Sequence, residues 1–548
     1  MQLIECVPNF SEGRDLSIIK QITDEIELTE GVRLLNVDPG KATNRTVVTF
    51  VGSPAAVVEA AYRAIKKAGE LIDMSKHKGE HPRMGATDVC PLIPIANISM
   101  EETAAWAQQL AKRVGEELLI PVYLYEAAQP NKERSNLSVI RSGEYEGFFK
   151  KIKLPEWKPD FGPEEFDAKR GATVIGARDF LVAYNVNLNT TSTRRANAIA
   201  FDVREAGRKV KNEKGEEVVQ PGSLKSVKAI GWYIKEYGIA QISMNLTNIH
   251  VTPVHIAFDE VCKKADARGI RVTGSELVGL IPLKAMLDAG KYFLRKQKRS
   301  TGVSEKELIR IAIKSMGLDE LSPFKPEERI IEYMLKEKAD SRLVSMSLTD
   351  FADETASESP APGGGSISAY VGALGAALAT MVANLSSHKK GWDERWEEFS
   401  NWAEKGNSYT SELVKLVDAD TKAFNQIMAA LPKSTDEEKA ARSKAIQEAT
   451  KLAIEIPYNV MQAAYGSMEV IKAMVEMGNP NSVSDAGVGV LCARAAVMGA
   501  FMNVRINAAG YDDKSFVNDI LKKGREIEKN TIALEAEILK TVNEKIGV

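Results

Sequence analysis

The 548-residue sequence has little cysteine and little histidine. Its four cysteines, Cys6, Cys90, Cys262 and Cys492, are far apart and form no Cys-x-x-Cys pair. This spacing is not that of a disulfide framework or a zinc site, and it predicts buried thiols in a reducing cytosol. Because only five histidines occur, each one is a candidate for a chemical role.

The sequence also lacks an excess of either charge and a long apolar run. With 72 basic and 75 acidic residues, it gives no global reason to expect a nucleic-acid partner. No window approaches the roughly 20 uninterrupted apolar residues that a membrane span needs, and the N-terminal residues do not resemble a signal peptide. We therefore expect a cytoplasmic protein without membrane insertion.

Hydrophobic patterning divides the chain into two regions. Up to about residue 330, short β-branched runs alternate with amphipathic helical patterns, whereas strong helix formers dominate from about Ser345 onward. The predicted strands include Leu3–Val7, Val32–Val37, Thr46–Val51, Thr87–Ile95, Val174–Val186, Ala229–Ile234 and Ala240–Leu246. The predicted helices include Pro54–Leu71, Met100–Leu118, Ser192–Ala206, Ser366–Leu385, Trp392–Met428, Thr435–Met477 and Ser515–Ile546.

The α/β region contains two pairs of similar segments. Residues 45–70 and 240–269 both read strand, turn, helix, and the segments LIECVPNFSEG and LVAYNVNLNTT both place Asn in a strand-to-helix turn. Two related α/β (βαβ-type) subdomains explain this pattern, although chance similarity explains it as well. The predicted multidomain organisation is α/β subdomains at 1–180 and 181–334, a charged linker at 335–344, and an all-α helical domain at 345–548.

The densest polar cluster spans residues 74–91 and includes His77, Glu80, His81, Arg83 and Asp88. It matches the H-x-x-E-H pattern of a zinc-peptidase class, but that chemistry needs both histidines on one continuous helix. A glycine and a proline within the pattern argue against such a helix. A loop in which a histidine moves protons near neutral pH fits better, and a solvated surface loop is the plain alternative.

A glycine-rich segment, Pro-Gly-Gly-Gly-Ser at 362–366, precedes a helix of small residues. Free N–H groups at such a helix start favour an anionic or polar ligand group. No Gly-Lys-Ser/Thr follows, so the segment is not a nucleotide-binding P-loop. A flexible linker is the alternative, but the small residues that follow predict a tightly packed helix instead.

Further acidic and amide residues interrupt the apolar helices of the C-terminal region. Asp418 and Asp420 are two positions apart and face different sides, so one is expected to be solvated and one buried. A buried carboxyl group has a raised pKa and can act as a general acid or base. Asp485, Asn503 and Asn507 need hydrogen-bond partners in an apolar helix, either a ligand or helix caps and subunit contacts.

Several segments resemble known families. DPGKATNRTVVTFVG, MSKHKGEHPRMGATDVCP and GARDFLVAYNVNL, together with the N-terminal thirteen residues, resemble the formiminotransferase family. PAPGGGS, LVDADTKAF and the pattern Ser484-Asp485…Asn503-Val504-x-Ile506-Asn507 resemble formiminotetrahydrofolate cyclodeaminases and cyclohydrolases. Both resemblances occur in the order of the bifunctional family and cover essentially the whole chain.

The resemblance implies two consecutive reactions of histidine degradation. The α/β part is expected to transfer the formimino group of N-formimino-L-glutamate to N5 of tetrahydrofolate, with His81 as proton shuttle. The helical part is expected to form 5,10-methenyltetrahydrofolate and release ammonia, with Asp420 as the acid or base. Tetrahydrofolate is then a co-substrate, no metal is implied, and the family forms homo-oligomers.

The resemblance also implies a set of ligand contacts. Folate contacts in the family fall near a segment that matches Gly162–Gly171, although its middle, Glu164–Arg170, departs from the family sequence. The anionic tail of (poly)glutamylated folate would suit Lys389, Lys390 or the glycine-rich helix start. The implied folate and substrate contacts are Asp38, Asn44, Arg45, Glu80, Arg83, Gly162, Pro163, Phe166, Gly171, Gly363, Gly364, Gly365, Ser366, Asp485, Asn503 and Asn507.

Three other interpretations remain open from the sequence. The helical domain could act as a methenyltetrahydrofolate cyclohydrolase, because its motifs do not separate the two activities. His77 and His81 could bind a metal in a hydrolase. The protein could also bind folate or assemble without catalysing a reaction, since small-residue helix surfaces suit oligomer contacts.

Overall fold

A computed structural model describes residues 2–41, 43–79, 82–335, 343–429 and 436–547. Its contacts divide the chain into two compact units. The α/β unit comprises residues 1–285 and 316–334, and the helical unit comprises residues 286–315 and 335–548. The predicted linker at 335–344 lies mostly outside the described residues.

The first part of the α/β unit is a mixed sheet with three long helices on one face and two short helices over part of the other. Its strands are β1 (Leu3–Cys6), β2 (Asn9–Phe10), β3 (Val32–Gly40), β4 (Arg45–Gly52), β5 (Thr87–Ala96), β6 (Val122–Glu126) and β7 (Thr173–Ala177). Its helices are α1 (Leu16–Glu27), α2 (Pro54–Leu71), α3 (Met100–Glu117), α4 (Leu137–Ile140) and α5 (Glu144–Lys151). The antiparallel order β3-β4-β1-β5 is extended by parallel β7 and β6, and β2 pairs with β4 and β5.

The second part is a four-stranded antiparallel sheet in the order β11-β12-β8-β13. Its strands are β8 (Val182–Leu188), β11 (Val227–Ile234), β12 (Ile239–Leu246) and β13 (Val272–Val278), and a separate hairpin joins β9 (Arg208–Lys211) to β10 (Glu217–Gln220). The helices are α6 (Thr193–Val203), α7 (Val254–Asp266), α10 (Pro326–Arg329) and α11 (Ile331–Leu335).

The two parts share one connectivity. The paths β1-α1-β3-β4-α2-β5 and β8-α6-β11-β12-α7-β13 give the same antiparallel strand order. The similar sequence segments occupy equivalent places, because β4-α2 corresponds to β12-α7 and β1 corresponds to β8. The prediction of two α/β subdomains is therefore confirmed at the level of topology.

One strand prediction was wrong. The apolar run from 174 to 186 is not a single strand, because β7 ends at Ala177 and β8 begins at Val182. The first belongs to the mixed sheet and the second to the four-stranded sheet. Hydrophobic periodicity could not show the break, because both strands are buried and the residues between them include only one strong strand breaker, Asp179.

The helical unit confirms the all-α prediction for the C-terminal region. Its helices are α8 (Leu283–Lys296, which begins in the α/β unit), α9 (Glu305–Met316), α12 (Leu348–Ala356), α13 (Gly364–Ser387), α14 (Trp396–Ala429), α15 (Asp436–Met477), α16 (Val483–Ala508) and α17 (Lys514–Ile546). Helix α13 packs against α14, α15 and α16. Its small residues permit close approach, since a Cβ on Gly375 would lie 2.7 Å from the Gly489 carbonyl oxygen.

Residues 286–315 pack with the helical unit, although the predicted boundary at 334 placed them in the α/β region. The Thr301 N–H donates to Ser400 Oγ at 3.0 Å, and Asn384 Nδ2 donates to the Gly302 carbonyl at 2.9 Å. These partners are about 80 to 100 positions apart in the sequence. The composition and hydrophobic periodicity of the sequence do not indicate such contacts.

Helices Gly364–Ser387 and Pro480–Ala508 are long and apolar enough to cross a membrane by length and composition. Within their most apolar windows, 61% and 50% of the residues are buried inside the molecule. Core helices pass the same test, so the absence of membrane insertion stays a prediction. All four cysteines are free thiols, but only Cys6 and Cys90 are buried, which corrects the prediction for the other two.

Candidate active sites

A charged cleft of about 670 Å³ separates the two sheets of the α/β unit. Ile4 and Cys6 pack into the helix-covered core, so the alternating residue Glu5 points to the opposite face and lines the cleft. The predicted ligand contacts Asp38 and Arg45 also line it. The remaining charged lining residues are Glu126, Arg141, Arg178, Asp179 and Lys228.

The loop after α2 is fixed near the cleft by His77. The ring Nε2 lies 2.8 Å from the Asn44 carbonyl oxygen, and Arg83 Nε donates to Nδ1 at 3.2 Å. The ring must therefore carry its proton on Nε2 and be neutral, in agreement with burial, which lowers the pKa of His77. Because both ring nitrogens are engaged, His77 has no lone pair left to bind the metal that the hydrolase interpretation requires.

Glu80 and His81 lie outside the described residues, so their roles stay predictions. The residues before them are held by Asn44, whose Oδ1 accepts from the Gly13 N–H at 3.0 Å. Asn44 Nδ2 donates to the Lys78 carbonyl at 3.1 Å. Both ends of this side chain thus hold the backbone, so Asn44 supports the loop, and its contact with a ligand stays a prediction.

Arg83 and the 162–171 segment support the loop from the other side. Arg83 is buried and forms an ion pair with Glu146 at 2.6 Å. Gly85 pairs with Gly171, whose φ of +69° few other residues adopt. The predicted folate contacts of this segment are therefore placed around the loop and outside the lining of the cleft.

The other members of that segment also serve packing. Phe166 lies in an aromatic cluster, 5.4 Å from the Tyr145 ring and 6.1 Å from the Phe148 ring. Gly162 has a φ of +85° and leaves no room for a Cβ against Ile120. Pro163 follows it and is half-buried. Direct folate contact by these residues stays a prediction.

A buried ion pair backs the cleft at the end nearest this loop. Asp88 is fully buried, accepts two hydrogen bonds from Arg141 and accepts another from the Met84 N–H at 3.0 Å. Burial raises the pKa of Asp88, while the charges of Arg141 and Arg45 oppose that rise. No sequence motif marks Arg141, because it lies in an ordinary turn 53 positions from its partner.

A second charged group lies farther along the cleft. Burial raises the pKa of Glu5 to about 7, and the nearby Arg178 charge opposes the shift. Burial also raises the pKa of Glu126, whereas the charges of Lys228 and Arg178 lower it, so both cations lie near one carboxylate. These residues come from separate strands and strand ends, which explains why sequence motifs missed them.

The predicted acid of the helical unit lies at the start of α13. Ser366 Oγ lies 3.1 Å from Asp420 Oδ2 and 2.9 Å from the Val417 carbonyl oxygen. Burial raises the pKa of Asp420, while hydrogen bonds from the Ser366 hydroxyl and N–H counter the shift. A Cβ on Gly365 would overlap the Asp420 carboxylate, so a side chain at this position would displace the acid.

Asn503 joins this group from the end of α16. A Cβ on Gly364 would lie 3.2 Å from Asn503 Nδ2, which donates to the Gly499 carbonyl. The predicted residues Gly363, Gly364, Gly365, Ser366, Asp420 and Asn503 therefore converge. The group that occupies the Ser366 N–H is the protein's own Asp420, which corrects the prediction of a ligand anion at that point.

Three other predicted positions, Asp485, Lys389 and Lys390, lie away from this site along their helices. Asp485 and Asn503 are eighteen residues apart on one helix, or about 27 Å. Lys389 and Lys390 follow the far end of α13, about 30 Å from Ser366, so they do not hold the first glutamate of a folate bound there. Asn507 Nδ2 donates to the Ala453 carbonyl at 2.7 Å, a contact between helices.

Asp418, the neighbour of Asp420, was expected to be solvated if Asp420 were buried. Instead it is 9% exposed and accepts a hydrogen bond from the Leu343 N–H at 2.8 Å. This contact ties the start of the helical domain to α14. Both aspartates are largely covered, so the prediction of one solvated residue was wrong.

Comparison with known families covers the same three segments. Residues 3–178 match the model described as "Formiminotransferase domain, N-terminal subdomain", and residues 183–336 match "Formiminotransferase domain". Residues 347–526 match "Formiminotransferase-cyclodeaminase". The first two matches meet in the break between β7 and β8.

Individual relatives resemble the whole chain or one part of it. The chain is 46% identical over 518 residues to a formimidoyltransferase-cyclodeaminase of Gallus gallus, covering 94% of each sequence. It is 44% identical over 297 residues to a glutamate formimidoyltransferase of Thermoplasma acidophilum, covering 54% of this chain and 93% of the relative. A methenyltetrahydrofolate cyclohydrolase of Methylorubrum extorquens is 39% identical over 203 residues, 37% of this chain and 98% of the relative.

Proposed function

This chain belongs to the formimidoyltransferase-cyclodeaminase family, and from that premise we propose how its residues divide the two reactions. The enzyme transfers the formimino group of N-formimino-L-glutamate to N5 of tetrahydrofolate. It then closes 5-formiminotetrahydrofolate to 5,10-methenyltetrahydrofolate and releases ammonia. Tetrahydrofolate is the co-substrate.

The transfer step is assigned to the charged cleft and the loop that carries His81. The attacking N5 amine must lose a proton, and the departing glutamate nitrogen must gain one, so a single histidine can serve as base and then as acid. The contacts of Asn44, His77 and Arg83 hold the residues on either side of His81 in place. This rigid support is what a proton-transfer residue on a loop needs.

The cyclisation step is assigned to Asp420, and its position carries the proposal. Ammonia leaves only after its nitrogen has been protonated, and a carboxyl group with a raised pKa can deliver that proton. Ser366 orients the Asp420 carboxylate, and the adjoining glycines leave space at the helix start. Asn503 lies beside this space and offers a polar amide to the pterin.

A single end-point assay tests the proposed function. The purified chain is incubated with N-formimino-L-glutamate and tetrahydrofolate while ammonia and methenyltetrahydrofolate are measured together. We expect one ammonia for each methenyltetrahydrofolate formed. Hydrolysis of supplied methenyltetrahydrofolate without ammonia production would instead identify a cyclohydrolase. Folate binding without either product would identify a non-catalytic folate-binding protein.

The proposed enzyme is a cytoplasmic homo-oligomer that acts without membrane insertion or a nucleic-acid partner. Exposed apolar side chains on α13 and α16 support the oligomer, because burial of such side chains between subunits is favourable. They are Leu374, Met381, Leu385, Val488 and Leu491. Light scattering should give a mass above 60.0 kDa. The double variant Leu374→Glu with Leu491→Glu should give a smaller assembly.

A further inference from the structure

The cations of the cleft form two groups at different distances from the loop that carries His81. The first group is Arg45 and Arg141, which share the buried carboxylate of Asp88. Asp88 also accepts from the Met84 N–H, three residues after His81, at 3.0 Å. The second group is Arg178 and Lys228 near Glu126.

The position of the second group follows from strand β5. The Arg178 N–H donates to the Leu92 carbonyl at 3.1 Å. Leu92 lies four residues beyond Asp88 on this strand, so the backbone contact of Arg178 is about 13 Å from Asp88 along the strand. Among the described residues, Asp88 connects the first group to the loop through its contact with the Met84 N–H.

The two substrates differ in length, and this difference matches the different distances of the two groups of cations from the loop. N-formimino-L-glutamate carries both carboxylates within about 6–7 Å of its reacting carbon, as bond lengths of about 1.5 Å require. Its carboxylates therefore need a cation close to the His81 loop. Only a much longer molecule, such as folate with its glutamate tail, can react at that loop and also extend to the second group.

Arg141 has unused capacity for such a ligand. A guanidinium group carries five N–H donors, and Asp88 takes one from Nε and one from Nη2. The Arg141 side chain is 15% exposed, and the residue lines the cleft beside Arg45. Asp88, at 0% exposure, fixes the plane of the guanidinium from behind. A purely structural ion pair would not need to face the cleft.

We propose that Arg141, oriented by Asp88 and assisted by Arg45, binds a carboxylate of N-formimino-L-glutamate during formimino transfer. This inference rests on the proposed transferase function of the cleft. It assigns Arg141 a role in recognising the amino-acid substrate and makes Asp88 a positioning residue.

The test measures KM and kcat for each substrate with the other at saturation, using full-length chains. The variants are Arg141→Lys, Asp88→Asn and the double variant Arg141→Gln with Asp88→Asn, which removes both partners of the ion pair together. Arg63→Gln, a surface arginine paired with Glu59 on α2, is the matched control. Cyclisation of supplied 5-formiminotetrahydrofolate reports on the helical unit, and an unchanged KM for tetrahydrofolate reports that the α/β unit is folded.

The double variant should raise the KM for N-formimino-L-glutamate about ten- to a hundredfold. This factor corresponds to the free energy of one charge-assisted hydrogen bond. The KM for tetrahydrofolate should change less than twofold, and the control should match the unaltered chain. Arg141→Lys and Asp88→Asn should each raise the same KM by a smaller factor. A positioning role for Asp88 is refuted if Asp88→Asn leaves that KM unchanged.

An unchanged KM for N-formimino-L-glutamate in the double variant, or an equal rise for both substrates, would overturn the proposal. N-formiminoglycine, which has only the α-carboxylate, then identifies the group bound. If its KM rises in the double variant, Arg141 holds the α-carboxylate; if only that of N-formimino-L-glutamate rises, it holds the side-chain carboxylate. Absence of transfer by the unaltered chain would refute the proposed function itself.

Discussion

In the α/β unit, side chains hold the residues before and after His81, whereas in the helical unit the lack of side chains makes room for Asp420. The loop depends on hydrogen bonds from His77 and Asn44. The helical site depends on Gly365, where any Cβ would overlap the acid. The first site should therefore respond gradually to polar substitutions, and the second should fail on addition of one methyl group.

The largest effect is expected from Gly365→Ala. Its methyl group must displace the Asp420 carboxylate from Ser366, and loss of a positioned acid costs about 10²–10⁴-fold in rate. Ammonia release from supplied 5-formiminotetrahydrofolate should fall by about a thousandfold, while formimino transfer should persist. Gly510→Ala is the control in the same unit, since no atom lies within 4 Å of its Cβ position. Full cyclisation by Gly365→Ala would refute the helical half of the comparison.

Glu5→Gln should produce a pH-dependent stability difference in the α/β unit. Burial raises the folded-state pKa of Glu5 from 4.5 to about 7, so ionisation destabilises the folded protein as pH rises through that interval. The variant should be more stable than the parent by up to about 3 kcal/mol above pH 7, and equal to it below pH 4.5. Denaturant unfolding at pH 5 and pH 8 measures this, with Glu27→Gln on the exposed side of α1 as control. A pH-independent difference would contradict the assignment.

Asn507→Ala should destabilise the helical unit through a backbone carbonyl. Pro457 has no N–H, so the Ala453 carbonyl lacks its usual helical donor, and Asn507 Nδ2 supplies one at 2.7 Å. Loss of this hydrogen bond should lower the free energy of unfolding by about 1–3 kcal/mol and speed amide hydrogen exchange near Ala453. Pro457→Ala restores a backbone donor, so the Asn507→Ala cost should shrink in that background. An equal cost in both backgrounds would assign Asn507 to another role.

The smallest effect is expected from His77→Ala, which removes both contacts of a loop support. The kcat for formimino transfer should fall about tenfold, within the range for a catalytic group misplaced by less than 1 Å. The cyclisation rate should not change. His77→Gln, which retains a donor and an acceptor, should recover part of the lost kcat. A change in substrate KM alone would place His77 in binding instead of positioning.

The sequence predicted most elements of the fold because their patterns are local. Helix Pro54–Leu71 was predicted with the bounds that it has, and the repeated strand-turn-helix units mark equivalent positions. The sequence did not predict that the chain passes from one sheet to the other after Ala177. It also did not predict that residues 286–315 pack with the helical unit. Both depend on contacts between residues far apart in sequence, which periodicity does not record.

The same limit applies to the sites. The glycine-rich segment and Asp420 were found from unusual residues in an apolar helix, and the structure places them together. Asp485 carries an equally unusual signal but lies about 27 Å from Asn503 along α16. Arg141 has no local signal and reaches the cleft only through its pairing with Asp88. A motif identifies polar residues, but only the fold shows which of them meet.

The central claim is that one chain carries two independent sites, and the variants His81→Ala and Asp420→Asn test it most directly. Each full-length variant is assayed for formimino transfer and, separately, for ammonia release from supplied 5-formiminotetrahydrofolate. We predict that His81→Ala loses transfer and keeps ammonia release, and that Asp420→Asn keeps transfer and accumulates 5-formiminotetrahydrofolate. Loss of both activities in either folded variant, or formation of methenyltetrahydrofolate by Asp420→Asn at the unaltered rate, would contradict it.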